Sequence, residues 1–290
     1  MTIKVLLQTT IAPAADNWSI DRFSLLATLL RQERDESGHA VFEVRTRDRD
    51  PLGAPDTLLS NLAHSDYDQL WLFAVDIGNG LSKEDSCGID AFRARGGGVL
   101  VARDHMDLGS SVCELAGIGA AHHFHTRNVD PTAAAVRDDP FTIAISWPNF
   151  HSAANGDYQQ IEAVELVHAV LRETSAPNGS ILFLPSHPHE GAVSAPPGAR
   201  ARVVARGRSK STGARFNIAV AFEAEGQVGR AIAQSTFHHF ADYNWDPRLG
   251  APSFVDEPPG DGILRSSEAW ASVGRYARNV ARWLAGLPTD

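Results

Sequence analysis

The sequence predicts an α/β protein with an open, mostly parallel β-sheet and helices on both faces. Three observations carry this. Strand-like and helix-like patterns alternate through the first third of the chain. The strand segments are continuous apolar runs, such as Leu70 to Val75, as suits strands covered on both sides. Gly96, Gly97 and Gly98 close one helical segment just before the next strand. Right-handed crossovers then place helices on both faces.

Ile3 to Leu7 is an apolar run broken only by Lys4 and forms the first strand. A Pro-containing loop follows. Ile20, Phe23, Leu26, Leu29 and Leu30 then recur at helical spacing, with Ser19 as the expected N-cap. Ala40 to Val44, Leu70 to Val75 and Val99 to Ala102 are the next strands, and Lys83 to Arg95 is the helix before the last of these. In the second half, Val164, Val167, His168 and Leu171 share one stripe, which predicts a helix over Ile161 to Leu171. Ile181 to Leu184, Arg202 to Ala205, Phe216 to Phe222 and Arg230 to Gln234 read as strands. Trp270, Val273, Tyr276, Val280, Trp283 and Leu287 place the last helix over Ser266 to Leu287. Ala120 to Asp139 and Trp245 to Gly262 lack periodicity, and such long loops often form lids or edges. With no repeat and no low-complexity linker, one domain over 1–290 is expected, with long loops near 120–158 and 245–262.

The net charge is −9, and no Lys/Arg run is present, which argues against a nucleic-acid partner. The two cysteines, Cys87 and Cys113, are too few for a disulfide framework or a four-thiolate zinc site. Both sit in segments that read as helical, as reduced thiols. No signal-like start and no membrane-length apolar run are seen, so a cytoplasmic protein is expected.

Ligands of open α/β sheets bind beyond the carboxyl ends of the strands. Gln8 and Thr9 follow the first strand and Asp76 the third, as candidate substrate contacts. After the fourth come Arg103, Asp104, His105 and Asp107. Ser186-His187-Pro188-His189-Glu190 follows Leu184, and His238-His239 follows Gln234. Five of the 12 histidines thus follow three separate strands, and this convergence is the main functional signal.

A carboxylate beside an imidazole fixes its tautomer and raises its basicity, so Asp104, His105, Asp107 and Glu190 are candidate catalytic groups. The competing reading makes Asp107 or Ser110 a helix cap, with His105 in a turn. His187 and His189 face the same way if extended, so they are candidate ligands of a divalent metal such as zinc, together with His238 and His239. A polar turn shaped by Pro188 is the alternative. Adjacent residues of a strand point opposite ways, so only one of His238 and His239 is expected to face the cleft. Arg103, Asn155 and Asp157 join the candidate substrate contacts, the last two on a loop that also reads as an Asn/Gly-rich turn. No Gly-x-Ser-x-Gly or Gly-x-Cys-x-Gly elbow occurs, and no P-loop or dinucleotide fingerprint, so no nucleotide cofactor is expected.

Phe92-Arg93-Ala94-Arg95-Gly96-Gly97-Gly98 leading into Val99-Leu100-Val101 resembles the class I glutamine amidotransferase-like superfamily. So does Gly229-Arg230-Ala231-Ile232-Ala233 before a histidine-bearing turn. The nearest look is to ThuA-like (trehalose-utilisation) proteins. The resemblance implies a flavodoxin-like fold, a site at the strand carboxyl ends and sugar-related metabolism. It does not imply glutaminase activity. That family carries its nucleophilic Cys after the strand that ends here at Ala102, where this chain has Arg103-Asp104-His105.

Two functions follow as expectations. One is hydrolysis or acid/base chemistry on a small polar, sugar-like substrate, with or without a metal-activated water. The other is a non-catalytic ligand-binding or assembly module that lacks the nucleophile. A homodimer is compatible with this fold, and no membrane partner is expected.

Overall fold

The computed structural model describes residues 2–130 and 145–289. Part of the irregular stretch noted above, 131–139, lies outside the described residues. The strands in chain order are β1 (Ile3–Thr9), β2 (Phe42–Arg47), β3 (Gln69–Phe73) and β4 (Gly98–Ala102), then the short β5 (His122–His123), β6 (Tyr158–Gln160), β7 (Glu162–Ala163), β8 (Phe183–Pro185) and β9 (Ala192–Val193). β10 (Ala201–Arg208), β11 (Arg215–Phe222) and β12 (Ala231–Gln234) follow. The helices are α1 (Ser24–Arg31), α2 (Lys83–Ala94), α3 (Asp242–Trp245), α4 (Gly262–Arg265) and α5 (Ser267–Leu284).

The main sheet has eight strands in the order β2-β1-β3-β4-β12-β11-β10-β7. The run from β2 to β12 is parallel, and β11, β10 and β7 continue it antiparallel. Parallel neighbours need crossovers, and α1 and α2 supply them between β1 and β2 and between β3 and β4. The expected fold class is therefore formed: an α/β, flavodoxin-like, mostly parallel sheet with helices on both faces.

Every residue of β3 and β4 is buried, which explains their unbroken apolar character. Alternate residues feed two cores. Val5, Leu7, Trp71 and Phe73 meet Leu26 and Leu30 of α1 and Tyr276 of α5. Leu6, Leu70 and Leu72 meet Ile89 and Phe92 of α2 on the opposite face. Phe23 stacks on Phe73 with centroids 4.1 Å apart. α2 starts at a reciprocal Ser82–Asp85 capping box. Its Gly88 lies against the Leu59 carbonyl, where an added Cβ would fall 2.1 Å from the oxygen, so only glycine permits this approach.

Three expectations need correction. The helix beginning at Ile20 is a 3-10 turn (Ile20–Phe23) followed by α1, and Ser19 does not cap it. The Ser19 hydroxyl is instead used by the Ala14 backbone. Residues 161–171 form no α-helix. The Val164 N–H reaches the Val204 carbonyl, and β7 pairs with β10. The stripe has helical spacing, but the open edge of β10 takes up 162–163 as a strand, and this tertiary pairing overrides the local pattern. Only Ala169–Leu171 turns, as a 3-10 segment whose first N–H groups include one accepted by His168 Nδ1. Cys113 lies in a 3-10 turn (Ser110–Glu114) that follows Gly109 at φ +81°, a left-handed conformation suited to glycine. Cys87 is in α2, as expected.

Candidate functional site

β4 ends at Ala102, and the chain leaves the sheet with Asp104 and His105 aimed into a cavity. β12 ends at Gln234, and the 3-10 turn Phe237–His239 brings His238 to the same place. The segment after β8 supplies His187 and His189. The loop 149–155 adds Asn155, and 254–257 closes the mouth with Phe254, Val255, Asp256 and Glu257. The cavity holds about 620 Å³. Apart from Asn17, its other walls are apolar: Trp18, Val75, Ile77, Leu108, Ile145 and Phe237. No Ser, Thr, Cys, Lys or Arg is among its described lining residues.

Asp104 is the centre of the cluster. Its Oδ1 accepts the His105 backbone N–H at 2.8 Å and lies 3.2 Å from both His105 Nδ1 and His187 Nε2. Its Oδ2 is 3.9 Å from His238 Nε2. Burial alone would raise the Asp104 pKa, but the adjacent His105 and His187 hold it well below the usual carboxylate range. Burial pushes His187 down to about 3 against the pull of Asp104. Burial and the neighbouring His187 also take His238 well below the ordinary imidazole value. At neutral pH Asp104 is therefore ionised while His187 and His238 are uncharged imidazoles.

Side-chain amides fix the tautomers of these rings. Asn244 Nδ2 donates to the Ser186 carbonyl and to Asn155 Oδ1, both at 2.8 Å. Asn244 Oδ1 must then accept from His238 Nδ1, at 2.8 Å. Asn155 Oδ1, already an acceptor, takes its second hydrogen bond from His187 Nδ1 at 3.0 Å. Asn149 Nδ2 donates to the Ile145 carbonyl, so Asn149 Oδ1 accepts from His189 Nδ1 at 2.9 Å. In all three rings Nδ1 carries a proton and Nε2 faces the cavity. The Nε2 atoms of His187 and His238 face Asp104, and that of His189 faces Glu257 at 3.0 Å. His187 and His238 stack nearly parallel, 3.6 Å between centroids.

The other residues singled out from the sequence lie elsewhere. His239 packs inward with the opposite tautomer. Tyr276 donates to Gln234 Oε1, Gln234 Nε2 donates to His239 Nδ1, and His239 Nε2 donates to Glu190 Oε1 at 3.1 Å. Glu190 also accepts from Ser152, Gln159 and Ser235, so both residues belong to a buried structural network. His239 therefore joins no ligand set with His187, His189 and His238. Arg103 is fully buried over the Phe124 ring, 3.9 Å from its centroid, and burial lowers its pKa to about 9. Gln8 is engaged with Asp56 and Arg47, and Thr9 with Asp48. Asp76 accepts from Thr10, Ser111 and Gly78, and so pins the loop after β3. Asp107 accepts the Thr126 N–H and hydroxyl, each at 2.9 Å, and caps no helix. Asp157 accepts the Gly262 N–H and docks α4. Sequence reasoning missed Trp18, Asn244, Phe254 and Glu257. None belongs to a motif, and only the folded chain brings them near His187.

No family model matches the chain, and no curated protein matches it. Solved structures similar to it include the mmIFT52 N-terminal domain, at 12% identity and TM-score 0.48 over 97% of both chains. Another is a cytoplasmic protein from Salmonella typhimurium, at 13% identity and TM-score 0.42, covering 94% of this chain and 98% of that one. A third is the glutaminase domain of Trypanosoma brucei CTPS with bound acivicin, at 13% identity and TM-score 0.43, covering 96% and 94%. Among the described residues, no helix is long and apolar enough to cross a membrane.

Proposed function

We propose that the chain is a hydrolase-type acid/base enzyme acting on a small, polar, uncharged substrate of sugar-like chemistry. The observation that carries this is the convergence of Asp104, His105, His187, His189 and His238 on one cavity from three strand ends. Burying so many titratable groups without use is costly. The described lining holds no Ser, Thr or Cys nucleophile, and water is taken as the attacking group. His238 Nε2, unprotonated and cavity-facing, takes a proton from that water. The water oxygen bonds to the electrophilic carbon, the bond to the leaving group breaks, and the imidazolium returns its proton to the leaving atom. Asp104 stabilises the transient imidazolium by charge. No Lys or Arg is present in the described lining to hold a phosphate or carboxylate, which favours an uncharged substrate. Trp18, Phe237 and Phe254 offer apolar faces to a sugar-like ring. The ThuA-like resemblance supports the same substrate class. A divalent metal at this cluster would supply an activated water. The working setting is the cytoplasm, with no nucleic-acid partner.

A panel of neutral glycosides, sugar lactones and sugar esters tests this reading. Turnover by the wild-type chain that disappears in Asp104→Asn and His238→Asn is expected. A second reading, a non-catalytic ligand-binding module, draws on the lack of a nucleophile after β4. Ligand-induced thermal stabilisation without turnover of any panel member, unaffected by Asp104→Asn, would establish it instead.

A further inference from the structure

The contact between His187 and Asp104 poses a problem in elementary hydrogen bonding. The amide chain from the Ser186 carbonyl through Asn244 and Asn155 leaves the His187 proton on Nδ1. A neutral ring then presents a lone pair at Nε2 to a carboxylate oxygen 3.2 Å away, and both atoms are acceptors. Reversing the tautomer moves the conflict to Asn155, flipping Asn155 moves it on to Asn244, and flipping both amides moves it to the Ser186 carbonyl. Every arrangement of the neutral network leaves one repulsive contact. A cation shared by Nε2 and Oδ1, either a proton or a metal ion, removes it, and the ligand geometry around it decides between the two.

We infer that a first-row divalent transition-metal ion binds at Asp104, His105 and His187, a site that deepens the hydrolytic reading and rests on it. Asp104, His105 and His187 each offer a ligand atom, and these atoms lie within 4.8 Å of one another. Ions of this class sit about 2.0–2.2 Å from imidazole nitrogen and carboxylate oxygen, so a small inward movement closes the shell. Two imidazoles with one carboxylate select zinc and its neighbours over magnesium or calcium, which prefer oxygen. Asn155 supplies the outer support that a ligating histidine needs, accepting its other ring N–H. Three protein ligands and an open cavity leave a position for water, as in catalytic zinc sites. His238 is not a ligand. Its ring lies 12° from parallel with His187 and 3.6 Å above it, so both lone pairs cannot aim in-plane at one ion. It would remain free beside the ion, its cavity-facing Nε2 able to accept a proton.

The test uses the 290-residue chain, freed of metal with a chelator and titrated calorimetrically with Zn²⁺ and Co²⁺. Stoichiometric binding is expected, with Co²⁺ giving the intense visible bands of a low-coordinate site. His105→Ala and His187→Ala should abolish both signals. Asn155→Leu should weaken binding by roughly 10- to 100-fold, and Asn155→Asp, which keeps the acceptor, should restore it. The Asn155 pair leaves all three ligands in place and guards against loss through misfolding. The inference is overturned if the wild-type chain takes up no stoichiometric ion, or if binding survives in both histidine variants. In the first case, an NMR signal for a proton on His187 Nε2 would identify the cation as H⁺. Turnover undiminished by a chelator would remove the metal and keep the hydrolytic reading. Stoichiometric metal without turnover would do the reverse.

Discussion

His187 Nε2 lies 3.2 Å from Asp104 Oδ1, although 83 residues separate them in the chain. The two arrive from different parts of the fold, Asp104 from the end of β4 and His187 from the segment after β8. Each is held from behind: Asp104 by the His105 backbone N–H, His187 by Asn155. The geometry of the site is therefore set by hydrogen bonds on the far side of each reacting group.

Asp104→Asn should lower turnover by at least about 100-fold, because the carboxylate no longer stabilises the protonated imidazole. Asparagine keeps an acceptor for the His105 N–H, so the urea unfolding midpoint should stay close to wild type. Steady-state kinetics and urea titration on the same preparation check both halves.

Glu190→Ala should act on stability. Glu190 is fully buried and accepts hydrogen bonds from Ser152, Gln159, Ser235 and His239. Removing it strands those donors at a cost of about 3–5 kcal/mol. Unfolding curves that match wild type would show that this network is not structural.

His122 makes the stability of the protein acid-sensitive. It is completely buried, neither ring nitrogen has a hydrogen-bond partner among the described residues, and burial with the nearby Arg103 keeps its pKa well below the usual value. The unfolded chain binds a proton near the ordinary imidazole pKa of about 6.5, whereas the folded one does not. Its contribution is therefore fully present above about pH 6.5 and is lost as pH falls below it. His122→Leu should consequently gain stability relative to wild type as pH drops from 7 to 5 in parallel thermal melts. A constant difference across that range would argue against this assignment.

Phe254 is 59% exposed at the cavity mouth, so its ring is available to a ligand at little structural cost. Burying it against a substrate is worth about 1.5–3 kcal/mol at most. Phe254→Ala should reduce kcat/KM by roughly 10- to 100-fold, mainly through KM, without moving the thermal transition. An unchanged KM would place the substrate away from this wall.

The parallel core was legible because each buried strand must be apolar on both faces, and β3 and β4 show this without exception. Segments whose local pattern is overridden by a partner in space were not. Val164, Val167 and Leu171 match a helical stripe, and only the free edge of β10 made 162–163 a strand. The imidazoles after β4, β8 and β12 were visible because strand ends point at ligands in this fold class. Their sorting was not visible. His238 and His239 are adjacent and alike, yet one faces the cavity and the other donates to Glu190.

The α/β class, the parallel centre of the sheet and the edge at which polar groups gather can all be read from the residue pattern. These follow from local composition, where burial and periodicity act over a few residues. Which groups share a cavity, and which ring nitrogen donates to its amide partner, emerges only in the folded chain. Those properties depend on partners such as Asn155, Asn244 and Glu190, and hydrogen-bond directionality acts between neighbours in space, whatever their distance along the chain.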